Sequence, residues 1–235
     1  MEKQSLFKWK HYQPDIILLT VRWYLRYNIS FRDLVEMMEE RGLSIAHTTI
    51  MRWVHQYGPQ LEEKVRHYLK STNDSWRVDE TYIKVKGQWM YLYRAVDSKG
   101  STIDFCLSKT RDKQAAKYFF KKALAFSYVS KPRVITVDKN AAYPVAIQAL
   151  KEEKHMPEGI KLRQVRYLNN IVEQDHRFIK KRVRSMLGFK SFSTATSILA
   201  GVEAMHMIKK EQIDLQDQSI RNQKEIIHQL FELVA

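Results

Sequence analysis

The sequence has little cysteine, no long apolar run and few acidic side chains relative to basic ones. Its 235 residues include a single cysteine, Cys106. One cysteine cannot build a disulfide framework or a zinc site of the cysteine type. We interpret Cys106 as a small buried residue on a strand, in a protein that works in a reducing compartment.

The longest apolar run, residues 16–21, is far shorter than a membrane-spanning helix requires. The first ten residues also lack the apolar segment of a secretory signal peptide. We therefore expect a soluble protein that stays where it is made and has no membrane partner.

The shortage of acids leaves a large positive charge. Lysine and arginine number 40 against 26 aspartates and glutamates, which gives a formal net charge of +14. Hydrophobic residues make up 44% of the chain, enough for a real core, which excludes a disordered tail. The charge favours a polyanionic partner, most often nucleic acid, over a charge that serves solubility alone.

Residues 1–70 read as an all-α helix-turn-helix domain. A first helix is predicted from Asp15 to about Tyr27. Ser30, with Asp33 three residues on, has the spacing of a capping box and predicts the start of a second helix that ends near Gly42. A third helix is expected over 47–56 and a short charged helix over 60–70. This pattern is typical of a DNA-binding helix-turn-helix, although three-helix units without DNA are common.

The third helix carries side chains that can reach base edges or phosphates. We predict that its groove-facing side includes Thr48, Thr49, Arg52, His55 and Gln56.

After a Ser/Thr/Asn/Asp cluster at 71–75, the hydrophobic period changes from 3.6 to 2. Three strands follow, joined by a predicted two-residue turn at Gly87-Gln88 and a hairpin turn at 97–100. Helices and strands then alternate. The order βββαβαβα predicts an α/β domain over 76–212 with a mixed sheet, in which the first and fourth strands are neighbours. Residues 213–235 are expected to form a C-terminal helical tail that packs or self-associates.

A basic helix is predicted near the end of this domain, over about 167–180. Glu173 shares one side of it, within about 60°, with four basic residues. They are His176, Arg177, Lys180 and Arg184. One carboxylate is thus surrounded by groups that would hold phosphate, although a solvated face with ion pairs is the simpler interpretation.

Two further acids lie at special positions in the sheet. Asp79 is inside the first strand, where an unpaired charge is costly, and Asp138 ends the fourth. Ligand sites in such sheets gather at the carboxyl ends of strands, so Asp79 and Asp138 can converge and Glu173 can supply a third oxygen. Three carboxylates without cysteine suit Mg²⁺ or Mn²⁺. Two such ions would activate a water or hydroxyl and stabilise the leaving oxygen in an attack on a phosphodiester.

Neighbouring residues are given structural roles. Glu80 alternates to the face opposite Asp79 and is predicted to be a poor ligand. Asp97 is interpreted as a turn residue, and Asp175 as a salt-bridge residue. For His176, orienting a phosphate or water and bonding nearby backbone remain equally open. The aromatic residues at 89, 91 and 93 are predicted to be core.

Two segments resemble a known family. They are 77–97, RVDETYIKVKGQWMYLYRAVD, and 167–180, YLNNIVEQDHRFIK; segment 137–143, VDKNAAY, matches in its acid and strand. They are similar to bacterial insertion-sequence transposases of the family numbered six, whose catalytic domain has the ribonuclease-H-like fold of DDE transposases and retroviral integrases. The resemblance runs from about residue 12 to 210.

The resemblance implies Asp79, Asp138 and Glu173 as a catalytic, Mg²⁺-binding triad, and Lys180 as a DNA contact. It also implies a DNA strand-transfer enzyme that binds terminal inverted repeats and target DNA. The expected route is replicative, through a cointegrate, and the expected assembly is a homodimer or larger. The bacterial cytoplasm, at the nucleoid, is the expected location.

Two other functions remain as alternative hypotheses, a non-catalytic DNA-binding regulator and a ribonuclease H. A non-catalytic helix-turn-helix regulator would leave three converging carboxylates without a use. A ribonuclease H would keep the metal chemistry but leave the helix-turn-helix unexplained.

Overall fold

The structure is a computed structural model that describes residues 6–7, 11–165, 169–186, 188–214 and 222–233. Its helices and strands follow one another in this order: α1 (Pro14–Arg26), α2 (Phe31–Glu39), α3 (His47–Arg66), β1 (Ser75–Val85), β2 (Gln88–Asp97), β3 (Thr102–Ser108), α4 (Lys113–Leu124), β4 (Val134–Val137), α5 (Ala142–Glu152), β5 (Lys161–Gln164), α6 (Asn170–Ser185), α7 (Phe192–Lys209) and α8 (Gln223–Leu230). None of the helices in this described part of the chain is long and apolar enough to span a membrane.

The first three helices follow the predicted pattern. The Ser30 side chain accepts hydrogen bonds from the backbone of Arg32 and Asp33, and Asp33 accepts one from the Ser30 backbone. This confirms the capping box, which satisfies backbone N–H groups that the first turn of α2 leaves free. After α2, Gly42 adopts a φ of 73°, a left-handed conformation that glycine takes without strain.

Helix α3 is longer than expected and merges the third predicted helix with the charged one behind it. Pro59 lies inside it, although proline removes a helical hydrogen bond and clashes with the preceding turn. Tyr57 and Leu61, on either side of Pro59, are buried in the core. We attribute the continuation of the helix to this tertiary burial, which local sequence rules do not include.

The sheet has the strand order β3-β2-β1-β4-β5. β1 pairs with β2 in antiparallel and with β4 in parallel orientation, and β4 pairs with β5 in parallel. The predicted mixed sheet is confirmed, as is the prediction that the first and fourth strands are neighbours. The first hairpin turn was placed one residue too late. Lys86 and Gly87 form it, with φ values of 49° and 78°, as a type I′ turn requires.

Helix α7 was not predicted, and it joins the N-terminal helices to the sheet. It is buried on almost every side, so it lacks the one-sided apolar stripe that sequence analysis looks for. It crosses α3 where two glycines meet. A Cβ on Gly201 would lie 3.0 Å from Cα of Gly58 and 2.7 Å from a methyl carbon of Leu25.

The other face of the sheet is covered by α4 and α5. Their core includes Trp76 and Val78 of β1, Phe119 and Phe120 of α4, and Tyr143 of α5. The two faces of β1 therefore belong to two different cores, as alternating strand side chains require.

The C-terminal tail packs on the N-terminal helices. In α8, Ile227 and Leu230 are buried, and Phe231 follows them into the same core as Phe7 and Tyr57. The division at 71–75 stays a prediction, since apolar side chains of the helical part, the sheet and α7 share one core.

One prediction about the core is wrong. Trp89 is 60% exposed, and Tyr91 is only half-buried, whereas Tyr93 is fully buried as expected. Residues 89 and 91 lie on the part of the β1–β2 hairpin that extends beyond the short strand β4. Alternation predicts which face a side chain takes, but it does not show whether another element covers that face.

Candidate active site

The site forms where β1 runs past the end of β4. The two strands pair from Ser75–Val134 to Arg77–Thr136, so the register leads directly to Asp79 beside Asp138. Oxygen atoms of Asp79, Glu80 and Asp138 all lie within 4.8 Å of one another. The convergence of Asp79 and Asp138 follows from the parallel pairing that the sequence predicted.

The sequence analysis placed Glu80 on the face of β1 opposite Asp79, and the structure confirms this, but it did not predict that Glu80 would lie so close to Asp79 and Asp138. Its side chain leaves β1 on the side of α4 and α5, where it accepts hydrogen bonds from the hydroxyl of Tyr143 and the amide of Asn140. Alternation holds along β1, but β4 has ended there, so Asp138 reaches both Asp79 and Glu80. Burial raises the pKa of Glu80, against the effects of Tyr143 and Arg111.

Arg111 joins two of the three acids. Its guanidinium contacts Glu80 and lies 3.1 Å from Oδ2 of Asp138. The side chain comes from the loop before α4 and is 35% exposed. It therefore lies at the mouth of the site, where it neutralises part of the negative charge.

Helix α6 is attached to β1 next to these acids. The Asn169 side chain, just before α6, donates a hydrogen bond of 3.1 Å to the carbonyl of Val78. Two turns on, Nε2 of His176 lies 3.3 Å from Oδ2 of Asp79. Burial lowers the pKa of His176, against the effect of Asp79, so its ring is neutral at pH 7. The second of the two interpretations of His176, a backbone hydrogen bond, is not what the structure shows.

Glu173 occupies the first turn of α6 and is exposed. It precedes His176 by three residues, and such residues share one side of a helix. In the described chain, however, the three acids that meet within 4.8 Å are Asp79, Glu80 and Asp138, without Glu173. Its predicted role as third ligand stays a prediction.

A buried ionic network joins α6 to β2 and α7, and the sequence predicted only the salt bridge of Asp175. Asp175 contacts Arg94 at 2.6 Å, and His206 and Lys210 at 2.7 Å each. Arg94 is fully buried and also pairs with both oxygens of Glu203 on α7. The predicted salt bridge of Asp175 is confirmed. A charged residue inside the apolar run of β2 was the available signal for Arg94, since such a group needs a buried partner.

The two predicted DNA-contacting groups lie on two helices. Thr48, Arg52 and Gln56 are exposed on α3, whereas Thr49 and His55 are half-buried. Burial lowers the pKa of His55. On α6, the exposed bases are Arg177, Lys180 and Arg184. Their contacts with DNA stay predictions.

The acid cluster fits a hard divalent cation. Its donors are carboxylate oxygens, which Mg²⁺ and Mn²⁺ prefer, and they come close enough together to share an ion. Arg111 pairs with two of the three carboxylates, Glu80 and Asp138, and one guanidinium cannot balance three ionised acids. Asp79 and Asp138 are also partly exposed, so an ion and a substrate can reach them.

A five-stranded mixed sheet, with Asp79 inside β1 and Asp138 just after its parallel neighbour β4, is a ribonuclease-H-like fold. The family model DDE_Tnp_IS240, described as a DDE domain, matches residues 73–212. The transposase for the insertion sequence-like element IS431mec of Staphylococcus aureus strain Mu50 is 39% identical over 208 residues, covering 88% of this chain and 90% of the relative.

A second relative from Staphylococcus aureus is the transposase for the insertion sequence element IS257 in transposon Tn4003. It is 38% identical over 208 residues, with the same coverage of 88% and 90%. Among solved structures, the magnesium-bound catalytic core domain of the HTLV-2 integrase, in a trimeric form, has a TM-score of 0.44 and 18% identity. It covers 67% of this chain and 97% of that one.

The chain belongs to the DDE transposases of bacterial insertion sequences. It is therefore a polynucleotidyl transferase that acts in transposition. The family assignment sets aside both the non-catalytic regulator and the ribonuclease H.

Proposed function

We propose that the protein binds the terminal inverted repeats of an insertion sequence and carries out metal-dependent strand cleavage and strand transfer on them. The observation that carries this proposal is the convergence of Asp79, inside β1, with Asp138, which follows the end of the parallel neighbour β4. Divalent ions, Mg²⁺ or Mn²⁺ and two in number, would activate the attacking oxygen and stabilise the leaving one when bound. No covalent link to the protein is needed.

Asp79 and Asp138 would hold the ions, with Glu173 as the third acid. Asn169 bonds β1 beside Asp79, and His176 contacts Asp79 itself, so the first turns of α6 lie next to the site. The exposed carboxylate of Glu173 can approach an ion there, whereas Glu80 is held by three neighbours. We therefore assign Glu80 a positioning role.

The chain's own residues would orient the DNA. The basic side of α6, with Arg177, Lys180 and Arg184, continues from Glu173 along the helix and would hold phosphates beside the carboxylates. α2 and α3 would recognise the repeat, with Thr48 and Arg52 as exposed contacts. The first attack, by water, frees a 3′-hydroxyl, and the second, by that hydroxyl, joins the end to target DNA. Two ends must be held together, which requires a homodimer or larger assembly on DNA at the nucleoid.

The test is joining of oligonucleotides taken from the ends of the element to a plasmid, in Mg²⁺. Asp79→Asn, Asp138→Asn and Glu173→Gln should each remove cleavage and joining but retain end binding in a gel-shift assay. Joining at the wild-type rate by any of the three would refute the assignment of that residue.

Glu80→Gln separates the two glutamates. It should lower joining only in part, because the neighbours of Glu80 also bond a neutral amide. If Glu80→Gln is inactive while Glu173→Gln is active, Glu80 is the third acid instead. The replicative route is tested separately, by asking whether the strand opposite each joined end stays uncut.

A further inference from the structure

One uncovered part of the sheet carries exposed aromatic rings close to the acids. Tyr82 and Trp89 are 49% and 60% exposed. Tyr82 lies opposite Tyr91 in the β1–β2 hairpin, and Lys84 lies opposite Trp89. We call the side chains of Tyr82, Lys84, Trp89 and Tyr91 the aromatic platform.

The rings of the platform contact one another in a row. The ring centroids of Tyr82 and Tyr91 are 5.3 Å apart, and those of Tyr82 and Trp89 are 6.2 Å apart. The ammonium of Lys84 lies 5.6 Å from the centre of the Trp89 ring. Such ring pairs fix the orientation of exposed aromatic groups that would otherwise be free to rotate.

The hairpin under the platform is rigid because its other face is buried. Ile83, Val85, Met90 and Leu92 point to that face and belong to the main core. The backbone just after β1 is also hydrogen-bonded, since the N–H of Lys86 donates to the carbonyl of Phe189 at 2.8 Å. The platform is thus a cluster of partly exposed aromatic rings on a buried hairpin, and exposed apolar clusters can mark binding sites.

The platform is continuous with the active site. Tyr82 follows Glu80 by two residues on the same face of β1, a distance of about 7 Å along a strand. Arg111 contacts both Glu80, on this face, and Asp138. A DNA strand held at the acid cluster would therefore pass near Tyr82.

Two properties of the platform match single-stranded DNA. Aromatic faces stack on unpaired bases of any sequence, and nearby lysines attract the phosphates between them. Lys84 and Lys86 supply positive charge at the hairpin, and Glu80, the acid that precedes Tyr82 on this face of β1, is already paired with Arg111. Fully paired DNA offers no such base faces, because they are stacked within the duplex.

We infer that the aromatic platform binds unpaired bases of the DNA strand that enters or leaves the catalytic carboxylates. Trp89 and Tyr82 would stack on bases, and Lys84 would contact the backbone. The inference rests on the proposed function, since it takes the strand at Asp79 and Asp138 to be DNA. It adds the expectation that the protein prefers DNA ends with unpaired bases to fully paired DNA ends.

The test compares two DNA probes with the full-length protein in buffer without divalent ions. One is a short blunt duplex, and the other is the same duplex with an unpaired tail that contains 2-aminopurine. Trp89→Ala should weaken binding of the tailed probe about tenfold, within the range for loss of one stacked base, and leave the blunt duplex unchanged. It should also remove the quenching of 2-aminopurine, and Trp89→Phe should restore both.

The matched control is Tyr118→Ala, which removes an aromatic ring of 63% exposure on α4, outside the platform, and should alter neither probe. Equal weakening of both probes by Trp89→Ala, or of neither, would overturn the inference. The inference would also be overturned if Trp89→Ala changed the sedimentation of the DNA-free protein but left its preference for the tailed probe unchanged. That result would identify the platform as a self-association surface. Binding is measured without metal, so a failure of strand transfer in wild type would count against the proposed function alone.

Discussion

Nε2 of the buried His176 lies 3.3 Å from Oδ2 of Asp79, so helix α6 contacts the carboxylate that the parallel strands bring to the site. Among the described residues, His176 is the basic side chain that comes within 4 Å of a carboxylate oxygen of Asp79. If Asp79 binds a metal ion as we propose, a residue beside it such as His176 affects both the affinity for the metal and the geometry of the site.

Replacing His176 with alanine should lower strand joining by about 10- to 100-fold, which is the usual effect of losing a residue that orients a metal ligand. The Mg²⁺ concentration for half-maximal joining should rise, whereas DNA binding should stay unchanged. Rates measured over a Mg²⁺ titration check this. His155→Ala, an exposed histidine near Lys121, is the control, and equal effects of the two variants would contradict the assignment.

Replacing Arg111 with glutamine should strengthen binding of Mn²⁺ by up to about fivefold, since a partly exposed ion pair contributes up to about 1 kcal/mol. The guanidinium lies against Glu80 and Asp138 and competes with a cation for the same oxygens. Isothermal titration with Mn²⁺ measures the change. Arg133→Gln, which breaks an exposed pair with Asp74, should leave the affinity unchanged; weaker binding in Arg111→Gln would contradict this account.

Asp175 should make stability depend on acid pH. Burial acts to raise the pKa of Asp175, but Arg94, His206 and Lys210 outweigh it and hold that pKa well below its usual range. A carboxyl group with a depressed folded pKa stabilises the protein above its unfolded pKa of about 4, and the contribution is lost as pH falls below that value.

The free energy of unfolding in urea tests this for Asp175→Asn. The difference from wild type should be constant between about pH 7 and pH 5 and should shrink at about pH 3.5, where the wild-type carboxyl begins to lose its advantage. Asp74→Asn, at an exposed pair, should show a small difference at every pH. A difference for Asp175→Asn that does not change with pH would show that the network does not control its pKa.

Gly201→Ala should destabilise the contact between α3 and α7. The new Cβ would lie 3.0 Å from Cα of Gly58 and 2.7 Å from a methyl carbon of Leu25. Overpacking costs about 1–3 kcal/mol, against a gain of up to about 1 kcal/mol from replacing a helical glycine. We expect a net loss of about 1 kcal/mol in urea unfolding, with no loss for Gly159→Ala, where a Cβ meets open space.

Much of the fold was predictable because local patterns and tertiary structure agree. The capping box at Ser30, the alternation in β1 and the one-sided helix α4 each follow from short-range rules. α7 could not be found in this way, since it is buried all around and has no polar face to define a period. The continuation of α3 through Pro59 likewise depends on burial against α7, which lies more than 130 residues further along the chain.

The active site likewise has one part that the sequence predicted and another that depends on tertiary contacts. Strand order predicted that Asp79 and Asp138 would meet, because the first and fourth strands were expected to be neighbours. The register places Asp138, just after β4, beside Asp79 inside β1. Alternation excluded Glu80 from the predicted acid cluster, but in the structure Glu80 belongs to it. The reason is that β4 ends before it reaches Glu80, so Asp138 can approach side chains on both faces of β1. The contact of His176 with Asp79 depends on how α6 is attached through Asn169, which no spacing within α6 can show.

The sequence by itself determined the family, the net positive charge and the pair of carboxylates Asp79 and Asp138, since these depend on residue types in local patterns. Only the tertiary structure decided which side chains surround those acids and which aromatic rings stay exposed beside them. Alternation tells which face of a strand a side chain takes, but not whether another element covers that face. Trp89 and Tyr93 lie on the same face of β2, and the structure buries only one of them.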